Sequence, residues 1–140
     1  MTTATARKPR TKRDPAVPHD PGAEAAVLGS MIVDPGCIDD VVKVVERAGF
    51  FLREHQTIYD AVLAVRRQGG AGDGPDGLLV REELERRHQL DAVGGAEYLR
   101  QVVESVPSAA NAMHYAEIVA DRYARRQALE AARRDRKSVV

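Results

Sequence analysis

Residues 20–36 read Asp-Pro-Gly-Ala-Glu-Ala-Ala-Val-Leu-Gly-Ser-Met-Ile-Val-Asp-Pro-Gly, and they decide the architecture. Asp20 suits a helix N-cap because its carboxylate can accept a first-turn amide, and Pro21 has the fixed φ that fits the first helical position. Ala23, Val27 and Met31, with Leu28 and Ile32 beside them, recur at helical spacing. Gly29 stands inside the run. In a helix it costs about 1 kcal/mol relative to Ala, so a close crossing of a second helix is the expected compensation. Asp34-Pro35-Gly36 then breaks this helix and starts the next.

The same grammar repeats downstream. Ile38, Val41, Val42, Val45 and Ala48 form an apolar stripe, closed by Gly49 in the usual C-terminal position. Phe50-Phe51-Leu52 is a short apolar plug. A third helix is expected over about Glu54 to Arg67, with Ile58, Ala61, Val62 and Val65 inward and Tyr59 and Leu63 on the flank. Gly69 to Gly77 reads as a loop. A fourth helix spans about Leu78 to Gln89, with Val80, Leu84 and His88 on one side. Gly94-Gly95 punctuates, a fifth carries Tyr98, Leu99, Val102, Val103 and Val106, and Pro107-Ser108 stops it.

From Ala109 to Arg134 there is neither Gly nor Pro, a run roughly twice the usual helix length. Its apolar residues Ala112, Ala116, Val119, Ala120 and Tyr123 make a narrow stripe of mostly small side chains, suited to close packing against another helix. That helix is either the chain's own head or a partner. The first two turns fit both readings, and Tyr123 onward, where the sequence turns Arg-rich, favours a partner. The expected fold class is all-α: a multi-helix head of about five helices over 20–108, a long helix over 109–134, a disordered basic arm at 1–19 and a tail at 135–140.

The formal charge of zero conceals a segregation. Residues 1–13 carry five basic residues and no acid, and residues 122–140 carry seven basic and two acidic. Residues 14–121 hold nine basic and nineteen acidic ones. An acidic body does not attract a phosphate backbone, whereas basic ends can. Arg125, Arg126, Arg133 and Arg134 are the candidate nucleic-acid contacts. The shortage of aromatic residues for base stacking argues against that role as the main one.

Several chemistries are excluded. A P-loop needs Gly-x-x-x-x-Gly-Lys-Ser/Thr, and the glycine cluster at 69–77 lacks the lysine. His19, His55, His88 and His114 are scattered singly, so no metal-ligand spacing arises, and Ser30, Ser105 and Ser108 lack nucleophile-elbow glycines. Asp39-Asp40 and Glu82-Glu83 are adjacent in helices, face different ways and read as solvated surface. Cys37 is the only cysteine, a small hydrophobe at a helix start, which leaves no internal disulfide. No run approaches the ~18 apolar residues of a membrane span, and no apolar segment follows the basic N-terminus as in a secretory signal. No catalytic residue, cofactor or metal is expected, and the location expected is cytoplasmic.

Ala23-Glu24-Ala25-Ala26-Val27-Leu28-Gly29 resembles the Ala-Glu-x-x-Val-Leu-Gly opening of the N-terminal domain of DnaB-type replicative helicases. Phe50-Phe51-Leu52-Arg53-Glu54-His55-Gln56-Thr57-Ile58-Tyr59 resembles its Asp-Phe-Tyr-x-x-x-His-x-x-Ile-Tyr/Phe segment. Gly74-Pro75-Asp76 with Glu83-Leu84, then Leu90 and Val93-Gly94-Gly95-Ala96-Glu97-Tyr98-Leu99, and finally Val106-Pro107-Ser108-Ala109-Ala110-Asn111-Ala112 with Tyr115-Ala116-Glu117-Ile118-Val119, keep the order. Two departures stand out: loop 69–77 is richer in glycine than is usual in the family, and Gly22 replaces a better helix former.

The resemblance implies a helical head whose long terminal helix is the first half of a helical hairpin. It also implies dimer-based homo-oligomerisation through hairpins and docking of primase and helicase loader. ATP and Mg belong, by the same resemblance, to a motor domain that residues 1–140 do not include. On this reading the chain is a non-catalytic interaction and oligomerisation module. The alternatives are a nucleic-acid-binding protein that uses its basic ends, and a stand-alone, motor-less decoy of the helicase.

Overall fold

α1 (Pro21–Val33) is the axis of the molecule. The computed structural model describes residues 16–69, 77–106 and 108–138. Asp20 caps α1 as expected, its carboxylate accepting the Ala23 amide at 2.9 Å. Nine of the thirteen α1 residues are buried, which marks a helix enclosed by neighbours rather than one lying on a surface. Those neighbours are α3 (Arg53–Gln68), α5 (Gly95–Glu104) and α6 (Ala112–Ser138). Buried Ser30 is satisfied locally, donating to the Ala26 carbonyl at 2.7 Å. The crossing expected at Gly29 is with α5. A Cβ there would press on the Val102 carbonyl oxygen and lie 2.7 Å from Val106 Cγ2.

α2 (Ile38–Val44) is shorter than its apolar stripe suggested. The chain turns extended at Val45, whose carbonyl accepts the Tyr59 hydroxyl at 2.7 Å, and a 3-10 turn follows at Arg47–Gly49. Ile38, Val41 and Val45 are buried, whereas Val42 lies on the exposed side of α2 and the stripe is cut before Ala48 can join it. Tyr59 lies in the core rather than on a flank. Burial and the nearby Glu46 and Asp60 carboxylates push its phenol up to about 12. Arg66 of α3 braces the corner between α1 and α2, donating to the Pro35 carbonyl at 2.7 Å and pairing with Asp39.

α4 (Gly77–Arg86) ends in a Schellman cap. The Gln89 amide reaches back to the Leu84 carbonyl at 2.8 Å, and the His88 amide to that of Glu85 at 3.0 Å. His88 sits at the left-handed position with φ 59, so it is exposed and does not continue the Val80–Leu84 side. Glu83 also departs from expectation. It is buried and paired with Arg86 and Arg87, not solvated beside Glu82. A second such cap, with Gly94 at φ 110, leads through Gly95 into α5, which buries Leu99 and Val102.

Two terminal expectations change. Residues 1–15 of the expected arm lie outside the described residues, but Val17, Pro18 and His19 are half-buried against the head. α6 continues helically to Ser138, so the expected tail is helix at least that far. Most of loop 69–77, Pro107 and residues 139–140 also fall outside the described residues.

A projecting helix, a buried polar network and the family they belong to

Ser108 opens the way into α6, its hydroxyl accepting the Ala110 amide at 3.1 Å as a 3-10 turn winds into the helix. The first part of α6 belongs to the head. Ala112, Ala116 and Val119 are buried against α1 and α2 in the chain's own core. These three residues are therefore not an open self-association face. Small side chains at four- and three-residue steps let α6 approach α1 closely. Ala120 and Tyr123 are half-buried at the edge of that contact.

Arg126 is the last residue of α6 through 136 that is not exposed. Its guanidinium donates to the Pro18 carbonyl at 3.0 Å and to the Gly49 carbonyl at 2.9 Å. The same group lies 5.2 Å from the Phe51 ring centroid and 5.6 Å from that of Tyr123. Beyond it every residue from 127 to 136 is exposed, Leu129 by 52%. Residues 127–138 thus extend α6 by about 18 Å past the head.

The arginines singled out for nucleic acid differ in placement. Arg126 is committed to backbone carbonyls. Arg125 pairs with Asp121 at 2.9 Å, and Arg133 and Arg134 pair with Glu130 at 3.4 and 3.7 Å. Exposed pairs one turn apart are worth only about 0.2–0.5 kcal/mol each, so Arg125, Arg133 and Arg134 remain available to a partner.

Behind this surface lies a buried polar chain. Glu24, 1% exposed in otherwise apolar α1, accepts the Phe51 amide at 2.7 Å and, more weakly, the Leu52 amide at 3.4 Å. His55, with no exposure, donates from Nδ1 to Glu24 Oε1 at 2.7 Å. With that proton placed on Nδ1, Nε2 accepts the Tyr98 hydroxyl at 2.6 Å. Three helices and the aromatic connector meet here, and the residues come from three of the quoted motif segments. His55, singled out in the sequence as an isolated histidine, thus ties α3 to both α1 and α5. The sequence does hold a signal for the network: a single carboxylate on the face of α1 that must be enclosed.

Among the described residues no group of three or more His, Cys, Asp and Glu converges to hold a metal ion, and no helix is long and apolar enough to cross a membrane.

The model of the DnaB-like helicase N terminal domain family matches residues 16–121. The replicative DNA helicase DnaB of Leifsonia xyli subsp. xyli is 39% identical over 117 residues, 84% of this chain and 25% of that protein. Its counterpart in Mycobacterium leprae is 40% identical over 117 residues, 84% of this chain and 19% of that one. The chain therefore spans a quarter or less of these relatives. The crystal structure of the N-terminal domain of DnaB helicase from Mycobacterium tuberculosis is similar with a TM-score of 0.78 and 39% identity, covering 84% of this chain and 83% of that one. A DnaB-like replicative helicase, solved with attention to its interactions with primase, gives 0.70 at 25% identity over 86% of this chain and 28% of its own. With most of its length matched by the family and the same all-helical fold in its solved relatives, the chain belongs to the DnaB-like helicase N-terminal domain family.

Proposed function

We propose that the chain is a non-catalytic interaction and oligomerisation module of a replicative DNA helicase, acting in DNA replication in the cytoplasm. The observation that carries this reading is the exposed half of α6, a continuous helix that leaves a family-typical head with Leu129 open to solvent. An isolated helix of that length is marginal in water, and packing on a second copy or a second helix stabilises it. Primase, named with one structural relative, is the proposed protein partner of the head, and a helicase loader is a second. ATP binding and strand separation are assigned to the portion of the full-length relatives outside the matched quarter. Contact with DNA is secondary here, because residues 14–121 are acidic and Arg126 is committed to the fold.

Sedimentation velocity between 5 and 500 µM (about two decades, enough to bracket a micromolar Kd) tests self-association, and titration with labelled primase tests docking. Concentration-dependent dimerisation, primase binding and no ATP turnover are expected. A monomer throughout with no primase binding overturns the reading, as does ATP hydrolysis by the purified chain.

A further inference from the structure

We propose that Arg126 is the pin of a conformational latch that couples the N-terminal strap, residues 16–19, to the root of the projecting helix. Two regions far from it in sequence, the strap and residues 49–51, converge on its guanidinium. The strap supplies the Pro18 carbonyl at 3.0 Å, and the turn after α2 supplies the Gly49 carbonyl at 2.9 Å. The connector supplies the Phe51 ring at 5.2 Å, and Tyr123, one turn earlier on α6, faces the same cation at 5.6 Å. A planar fork with fixed donor directions can hold two carbonyls at once, which a lysine ammonium on its flexible stem does poorly.

Both sides of the latch are built. On the strap side, His19 donates from Nδ1 to the Val17 carbonyl at 2.7 Å, and its ring lies 4.3 Å from that of Phe51. The Phe51 backbone is itself pinned by buried Glu24, so the platform under the cation is rigid. On the helix side, a Cβ at Gly49 would lie 3.9 Å from the Tyr123 ring, so the turn sits within contact distance of α6. Past Arg126, residues 127–136 of the helix are all exposed among the described residues. An open space of about 730 Å³, bounded by Val17 and Phe51 on one side and by Leu129 and Arg133 on the other, separates strap from helix there. Arg126 therefore stands where α6 changes from packed to projecting, and the strap is one of the parts that hold it. Releasing the strap loosens the root of α6, and anything that holds residues 16–19 in place tightens it. The latch is independent of what the projecting half binds.

Hydrogen exchange followed by mass spectrometry on the full chain tests this, with Arg126→Ala, Arg126→Lys, deletion of residues 2–18, and the deletion combined with Arg126→Ala. Arg126→Ala is expected to speed exchange across 120–130 roughly tenfold, the scale of two lost hydrogen bonds. Arg126→Lys gives a smaller increase in the same segment. Strap deletion also speeds exchange in 120–130, because it removes the Pro18 carbonyl that Arg126 holds. Added to Arg126→Ala, the deletion does little more, since coupled contacts are not additive. Amides of α1 keep their wild-type protection in every variant. Unchanged exchange in 120–130 on strap deletion overturns the proposal. So do purely additive effects, or an equal loss of protection in α1, which signals general destabilisation.

Discussion

His55 and Glu24 lie 2.7 Å apart with both side chains sealed from solvent, joining the start of α3 to the first turn of α1. Glu24 serves three donors, the amides of Phe51 and Leu52 and the His55 imidazole, so its carboxylate organises the whole connector. Deleting it leaves buried donors without acceptors, each costing about 1–3 kcal/mol. Glu24→Ala is therefore expected to lower stability by on the order of 3 kcal/mol. Tyr98→Phe removes the hydroxyl bonded to His55 and should cost about 1 kcal/mol. Urea denaturation measures both. A loss under about 0.5 kcal/mol for Glu24→Ala, the level of an ordinary surface change, means that water replaces the network.

Gly29 makes a prediction whose sign is diagnostic. In an open helix Gly→Ala gains about 1 kcal/mol. Here the added Cβ meets the Val102 backbone carbonyl and Val106 Cγ2, neither the far end of a flexible side chain. Overpacking of this kind costs about 1–3 kcal/mol, with backbone contact at the upper end. Gly29→Ala should lower the melting temperature. A raised one places α5 farther from α1 than described.

Local rules wrote much of this fold into the sequence. Asp20-Pro21 fixed where α1 starts, and Gly29 announced a close crossing without saying which helix makes it. The end of α2 was hidden, because Val45 fits the helical stripe and is turned out of it by a hydroxyl fourteen residues away. The stripe Ala112-Ala116-Val119 declared close packing, but small residues look alike whether the neighbour is the head or a partner. Arg126 was unreadable as a pin. Its two carbonyl partners lie 108 and 77 residues away and leave no periodic trace in a run of arginines that looks solvated.

The pH dependence of α4 follows from Glu83. Burial pushes its carboxyl up, but hydrogen bonding to Arg87 and the charges of Arg86 and Arg87 outweigh that, and the net shift is below its ordinary 4.5. A carboxylate with a depressed folded value contributes stability that is present above its unfolded value and lost as pH falls through the folded one. Stability should therefore decline below about pH 4.5, and Glu83→Gln should flatten that limb of the curve. Identical slopes for the two proteins in acid-denaturation series assign the decline to other carboxylates.

The two halves of α6 separate in a paired experiment. Ala116 is fully buried in the head, so Ala116→Leu overpacks the core and should cost about 1–3 kcal/mol of stability. Leu129 is half-exposed and projects beyond the head, so Leu129→Glu should leave the melting temperature of the monomer almost unchanged. If the projecting half is the self-association contact, burying the rest of Leu129 on a partner contributes about 1 kcal/mol. A buried glutamate adds a desolvation cost to that loss, and together these weaken dimerisation by at least tenfold. Sedimentation at matched concentrations reads the second effect, and thermal melts at low concentration read the first. Should Leu129→Glu sediment like wild type while Ala116→Leu alone shifts the dimer, the contact lies on the head, and the exposed half of α6 awaits a helix of different origin.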